Sequence, residues 1–340
     1  MRHAPCALRS APVRDMDLSI VIPMFNEAEN VDVTLKKVEE SLSLFQGTYE
    51  LIAVNDGSSD NTFEVLNKLA ENNERVRVVS YPKNIGRGMA LRKGFKESSG
   101  EIIVSIDADL SYDPRYILDL VRVLDKEEDV DFVLASPYMP GGGVQNVPTL
   151  RLWISKFGNK ILRLAMPNHI YTSTGIFRAY RRKVLDCLEL ESDGKEIHLE
   201  ILSKAIALGF RVKEVPAILT GRKKGRSKFK FRKTAISHLE FSAFEKPMII
   251  FGFIGLLTLG AGFLVGLYVA FLRLSGTLTP GRPLITFSLL LILGGIQILS
   301  FGFIALQIVS VRREILRIQK ENLELRKELL GREHRAESIE

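Results

Sequence analysis

Cysteine is nearly absent from this chain: Cys6 and Cys187 are the only two. Two sulfurs so far apart form neither a disulfide framework nor a zinc knuckle, which excludes stapled extracellular modules and zinc fingers. RNA-reading aromatic motifs are lacking too, so the net charge of +7 does not point to nucleic acid. There is no internal repeat and no low-complexity block. Met1–Arg14 is basic but lacks the apolar core of a signal peptide, and reads as a disordered tail.

Uncharged apolar runs are confined to two places, Pro247–Leu272 and Pro283–Val311. Each exceeds the roughly 20 residues that cross a hydrocarbon core. The link from Arg273 to Arg282 carries only those two charges. The outer flanks are far more basic: Arg222, Lys223, Lys224, Arg226, Lys228, Lys230, Arg232 and Lys233 precede the first run, and Arg312, Arg313 and Arg317 follow the second. Two spans place both flanks on one side, and the basic excess makes that side the cytoplasm. The charge suits anionic lipid headgroups or phosphorylated substrates.

The amino-terminal half alternates strands with amphipathic helices. Leu18–Ile22, Tyr49–Val54, Val76–Ser80 and Ile102–Ile106 are short and apolar; Val31–Leu44, Thr62–Asn72 and Arg87–Glu97 have helical periodicity. That order predicts an α/β fold, a single mostly parallel sheet with helices on both faces. Ligands of such sheets bind beyond the carboxyl ends of the strands. Asn26, Asp56, Lys83-Asn84 and Asp107-Ala-Asp109 all fall at those ends, so one crevice is expected to collect them. Asp107 and Asp109 repel one another unless a cation lies between them. A hard divalent ion with a phosphate on its far side resolves that conflict. Gly86-Arg87-Gly88 lacks the third glycine of a dinucleotide fingerprint and follows the third strand, so nicotinamide binding is rejected. It is expected to be a tight turn opening a helix, with Arg87 a phosphate neighbour.

Ile22-Pro-Met-Phe-Asn26-Glu27-Ala-Glu-Asn30, Asn55-Asp56-Gly57-Ser58-Ser-Asp60, Asn84-Ile-Gly86-Arg-Gly88-Met-Ala90 and Asp107-Ala-Asp109-Leu110, in that order, resemble the family 2 inverting glycosyltransferases. Within that family the chain is most similar to dolichol-phosphate mannose synthases and related polyprenyl-phosphate hexosyltransferases. The resemblance runs from about Leu18 to Phe231. It implies a nucleotide-diphospho-sugar transferase sheet of GT-A type, with a nucleotide sugar and a polyprenyl phosphate lipid as substrates. Pro23, Asn26 and Glu27 would line the nucleotide pocket, and Asp56 would bind the base. Asp107 and Asp109 would hold Mg²⁺ or Mn²⁺ against the diphosphate. Arg222 and Lys228 would be the cations of a catalytic basic loop near the membrane, and Arg151, Ser155 and Asn159 an acceptor-phosphate helix.

The chain departs from the family pattern at three places. Ser111 stands where members usually have Gln as a third metal-site ligand. Ser136-Pro137-Tyr138 replaces Ser-Arg-Tyr. Tyr171-Thr-Ser173-Thr-Gly175-Ile-Phe177-Arg178 alters Asp-x-Thr-Ser-Gly-Phe-Arg. These positions touch metal and acceptor, so they bear on substrate identity more than on reaction class.

A diphosphate leaves well only when its charge is neutralised, which suits a metal ion backed by Arg and Lys. A lipid phosphate is already anionic and needs no general base. His169, His198 and His238 are scattered and suit structural roles. Glu196 and Glu200, at helical spacing, would offer a base only for a hydroxyl acceptor, and a solvated helix face is the plainer reading. The expected reaction is hexose transfer with inversion, mannose from GDP-mannose first and glucose from UDP-glucose second. A processive polysaccharide synthase would need more spans and a Gln-x-x-Arg-Trp motif. A non-catalytic membrane scaffold is the remaining alternative.

After the second span, Val311, Ile315, Ile318, Asn322, Leu325 and Leu329 alternate spacings of four and three. This is a heptad seam with one asparagine at an a position, which predicts a parallel homo-oligomer. The expected organisation is therefore a tail (1–16), a cytoplasmic transferase domain (17–233), a juxtamembrane helix (234–246), two transmembrane helices (247–311) and a cytoplasmic coiled-coil helix (312–340).

Overall fold

The computed structural model describes residues 16–146, 170–221, 247–276 and 283–337. The chain divides into two compact units, one built on a sheet and one covering Ala235–Ile318.

The sheet unit opens with β1 (Leu18–Met24), α1 (Ala28–Ser41), β2 (Tyr49–Asp56), α2 (Thr62–Glu71), β3 (Val76–Tyr81), α3 (Arg87–Glu97) and β4 (Ile102–Ser105). It continues with α4 (Tyr116–Lys126), β5 (Phe132–Ser136), β6 (Gly143–Gln145), β7 (Arg178–Arg181), α5 (Arg182–Asp186), α6 (Ile197–Ala207), β8 (Val212–Pro216) and β9 (Ile218–Thr220). Seven strands form one sheet in the order β3-β2-β1-β4-β7-β5-β8. Only β7 runs against its neighbours β4 and β5. The mostly parallel α/β sheet expected from the sequence is therefore present. β6 and β9 pair as a separate parallel ribbon.

Successive residues of β1 are buried on both sides, as a central strand between two helical layers requires. On one face Val31, Leu35 and Val38 of α1 and Ile117, Leu120 and Leu124 of α4 share a core with Ile20, Ile22 and Val104. On the other, Leu91 and Phe95 of α3 and Ile197, Ile201 and Leu202 of α6 pack on Val21, Ile52 and Ile103. Helix α3 lies very close to the sheet: a Cβ at Gly94 would come within 2.3 Å of Val21 Cγ1.

Arg178 is fully buried in β7. Its guanidinium donates to the carbonyls of Gly175 (2.7 Å), Ser173 (2.6 Å) and His198 (2.8 Å). It therefore ties the 173–175 loop to α6. Burial pushes its pKa below the usual arginine value, and neighbouring Tyr180 partly offsets that.

The second unit contains α7 (Pro247–Leu274) and the start of α8 (Leu284–Glu337). Phe251–Leu274 and Leu284–Val311 are long and apolar enough to cross a membrane. The expected separate coiled-coil helix is not present as such: α8 runs without interruption from Leu284 to Glu337. No proline falls inside α8, and Gly294, Gly295 and Gly302 sit within a strongly apolar segment, so no residue breaks the ladder at the membrane boundary. The two helices pack through small residues. A Cβ at Gly255 would meet Leu299, at Gly262 Ile292, and at Gly295 Leu259, while Ser288 Oγ donates to the Gly262 carbonyl at 2.9 Å. The expected tail and juxtamembrane helix lie outside the described residues, apart from Met16.

Candidate active site

The carboxyl ends of β1, β2 and β4 supply one connected polar network. Two residues beyond β1 stands Asn26, whose φ of 53° is a left-handed conformation that Asn tolerates. That bend aims the Asn26 side chain at the loop after β2, where its Oδ1 accepts from Ser59 N at 2.7 Å. The Asn26 N–H donates to Ser58 Oγ at 2.9 Å and the Glu27 N–H to Thr62 Oγ1 at 2.9 Å. Pro23 pairs with Val54 in the sheet.

Asp56 closes β2 and is buried. Its carboxylate accepts from Tyr81 Oη (2.8 Å), Asn84 Nδ2 (2.8 Å), Ile85 N (2.9 Å) and Gly86 N (3.2 Å). Burial, together with Asp56, raises the Tyr81 phenol above its ordinary pKa, so it remains a donor. Gly57 makes the crossing possible: its φ is 58°, and a Cβ there would lie 2.3 Å from Asn84 N.

The Asp107-Ala-Asp109 turn follows β4. Thr34 of α1 holds it from below, donating to the Ala108 carbonyl at 2.6 Å. Leu110 takes a φ of 53°, which is uncommon for a non-glycine residue and is stored strain of the kind found at functional sites. The bend brings Ser111 N to 3.0 Å from Asp109 Oδ1 and sets the Ser111 hydroxyl against the same oxygen. Arg87 pairs with Asp107 at 2.9 Å. Burial is the main reason the Asp107 pKa lies above the ordinary carboxylate value; Arg87 and Lys195 pull it down, while Asp109 and Glu27 push it up. Arg87 thus gives a cationic partner to one of the two carboxylates, Asp107.

The turn also touches the ribbon. Thr220 of β9 donates its N–H (2.8 Å) and hydroxyl (3.1 Å) to the Ser111 carbonyl, and Gly221 N donates to the Gln145 carbonyl at 2.8 Å. The described chain stops at Asn146 and at Gly221, one residue beyond each ribbon strand. Arg151, Ser155, Asn159, Arg222 and Lys228 lie outside the described residues.

Sequence reasoning missed three contributors. Lys195 acts electrostatically on Asp107, and only its place before α6 marked it. Glu214 accepts the Tyr171 and Thr172 N–H groups at 2.8 Å each, fixing the altered Tyr171–Arg178 segment. Asp193 offers its carbonyl to Gly88 N (2.7 Å) and Met89 N (3.3 Å), capping α3. Gly86 stands directly before α3 with a φ of 140°, and the Gly86, Gly88 and Met89 donors are already engaged.

Glu200 is neither a solvated face nor an available base. Its carboxylate accepts from Glu191 N and Ser192 N, both at 2.9 Å, and pairs with Lys204 at 2.6 Å. Burial raises its pKa, but the Lys204 ammonium and the Ser192 and Glu191 donors outweigh that and hold it below the ordinary value. A depressed carboxylate pKa contributes stability above the unfolded-state pKa and loses it as pH falls through the folded one. Glu200→Gln should accordingly cost about 1–3 kcal/mol at pH 7, with the deficit shrinking below about pH 4. Thermal unfolding of detergent-solubilised protein at both pH values measures this.

Residues 19–189 match the family described as Glycosyl transferase family 2. The chain belongs to that family. It is a glycosyltransferase on a GT-A-like sheet. This glycosyltransferase is 35% identical over 218 residues to a dolichol-phosphate mannosyltransferase of Pyrococcus furiosus, covering 63% of this chain and 60% of the relative. It is 34% identical over 217 residues to a polyprenol monophosphomannose synthase of Mycolicibacterium smegmatis, covering 62% of this chain and 79% of that one. Its fold is similar to that of glucosyl-3-phosphoglycerate synthase from Mycobacterium tuberculosis, solved with Mg²⁺ and uridine diphosphate: TM-score 0.51, 23% identity, covering 67% of this chain and 78% of that one. The same values hold for that enzyme solved with Mn²⁺, uridine diphosphate and phosphoglyceric acid.

Proposed function

We propose that this glycosyltransferase moves a hexose, with inversion, from a nucleotide sugar to a polyprenyl phosphate at the cytoplasmic membrane surface, with mannose from GDP-mannose the first choice. The observation that carries the proposal is the Thr220–Ser111 contact. In the sequence the basic block Arg222–Lys233 follows Gly221 directly and precedes the first apolar run. The names of the two mannosyltransferase relatives support the choice of sugar and lipid.

The residues fit a divalent ion. Among the described residues no group of three or more His, Cys, Asp and Glu side chains is gathered to hold a metal. The protein's share is therefore Asp107 and Asp109, with the Ser111 hydroxyl beside Asp109. That small donor set suits Mg²⁺ or Mn²⁺ shared with a substrate diphosphate. When bound, the ion would act as a Lewis acid on the diphosphate leaving group. Arg87 would shift its charge from Asp107 toward the phosphates, and Lys195 would add a second cation. Asn26 and Glu27 would border the nucleotide pocket with Pro23, Asp56 would meet the base, Arg222 and Lys228 would neutralise phosphates, and Arg151, Ser155 and Asn159 would hold the lipid phosphate. Purified membranes incubated with labelled nucleotide sugars, followed by lipid extraction, test this. Labelled lipid from GDP-mannose supports it, label from UDP-glucose alone replaces the sugar, and no lipid product from any donor overturns it.

The basic flanks support a reading in which the sheet unit and Ser338 face the cytoplasm. In a background of Cys6→Ser and Cys187→Ser, a cysteine at Ser275 should react with an impermeant thiol reagent in intact cells, and one at Ser338 should not. The opposite labelling would put the site on the wrong side for nucleotide sugars.

A further inference from the structure

Helix α8 has two faces. One packs on α7 and is marked by Ser288, Ile292, Gly295 and Leu299. The heptad that governs the end of the helix continues backward through the membrane span on another face. Its a positions are Phe287, Gly294, Phe301, Ile308, Ile315, Asn322 and Leu329, and its d positions Leu290, Gln297, Ile304, Val311, Ile318 and Leu325. At 100° per residue the centre of this stripe within the span lies about 170° round the helix from the α7 face. The side chains of Phe287, Leu290, Phe301, Ile304, Ile308, Val311, Ile315 and Ile318 are all half or more exposed.

Exposed apolar residues are ordinary where lipid covers them, so exposure alone does not select this stripe. Two residues do. Gln297 is exposed midway between Leu284 and Val311. A side-chain amide at that depth faces hydrocarbon, where nothing meets its hydrogen-bonding groups. Gly294, one turn away on the same stripe, has open space where a Cβ would stand, so a second backbone can approach there. Beyond the membrane the stripe meets Asn322, the other amide on the seam.

We infer that α8 is a single parallel seam for a second copy of this chain, running from Phe287 through the bilayer to Leu329, with amide pairs at Gln297 and Asn322 setting its register. A membrane gives every copy the same orientation, so an antiparallel pairing of α8 is excluded. In the heptad sequence Glu321 at g and Arg326 at e are of opposite charge, which favours a parallel pair, whereas Glu328 at g and Glu333 at e are alike and Arg332 falls at d, so the apolar pattern ends near Leu329. The expected cytoplasmic zipper is thus the lower half of a longer contact. This inference does not depend on the sugar, the lipid or the metal.

Cysteine scanning of full-length protein in native membranes, in the Cys6→Ser, Cys187→Ser background, tests it. Oxidation should give at least ~5-fold more disulfide dimer at Phe301, Ile304, Ile308 and Val311 than at Phe303, Leu306 and Ser310, because a disulfide forms only where Cα atoms approach within about 7 Å. Equal yields everywhere, or maxima at Phe303 and Leu306, overturn the seam. Energy transfer between labelled copies under lipid dilution supplies a second readout. Gln297→Leu should weaken association ~3- to 10-fold, the range of one intramembrane amide pair. An unchanged association constant overturns the intramembrane half of the contact.

Discussion

Asp109→Asn is expected to lower sugar transfer on the order of 10³-fold while leaving the fold intact. The substitution keeps volume and keeps an oxygen for the Ser111 N–H, which now bonds Asp109 at 3.0 Å. The left-handed Leu110 and the Thr34 clamp on Ala108 are untouched. What disappears is one negative charge at the site proposed for the ion. Transfer measured by extraction of labelled lipid, with the melting temperature as a fold control, separates the two effects. Wild-type activity that survives complete chelation by EDTA, or a variant at full rate, would sink the metal proposal.

The second large effect is expected in the basic block. Arg222→Ala and Lys228→Ala should each slow turnover about 10²-fold, the usual loss when a preorganised group stabilising transition-state charge is removed. Each leaves most of the flanking charge in place, so membrane insertion should not change. Transfer at the wild-type rate in either variant would reduce the block to a topogenic flank.

The sheet was legible in its first four strands but not in β5, although Phe-Val-Leu-Ala-Ser is buried throughout. β1, β2 and β4 announce themselves because each is buried on both faces, whereas β3 lies at the sheet's edge, only partly buried, and is marked by its Val-Arg-Val-Val run. β7 did not, since Arg-Ala-Tyr-Arg reads as a polar turn. It becomes a strand because Arg178 finds three carbonyls inside the protein, a tertiary arrangement that overrides local pattern. β8, Val-Lys-Glu-Val-Pro, hides for a related reason: it lies at the edge of the sheet and is only partly buried. The site was legible as a set of positions. Asn26, Asp56, Asn84 and the paired aspartates share the carboxyl edge, as expected of a parallel sheet. Their mutual bonds were not legible, because pattern places residues at strand ends without showing which partner each side chain selects. Arg87 turns to Asp107, and Glu200 turns to the 191–192 backbone, for electrostatic reasons that depend on distance.

The Asp193 carbonyl at the start of α3 has a consequence for how phosphate is held. Many nucleotide enzymes use a helix amino terminus as a permanent anion cradle. Here the Gly88 and Met89 donors serve an internal carbonyl, and the Gly86 donor serves Asp56. This helix therefore has little standing attraction left for a spent nucleotide. Retention of a diphosphate would depend on movable charges, the ion and long basic side chains, which can part company with it. A transferase arranged in this way would clear its leaving group by letting those charges go, rather than by unfolding a cradle.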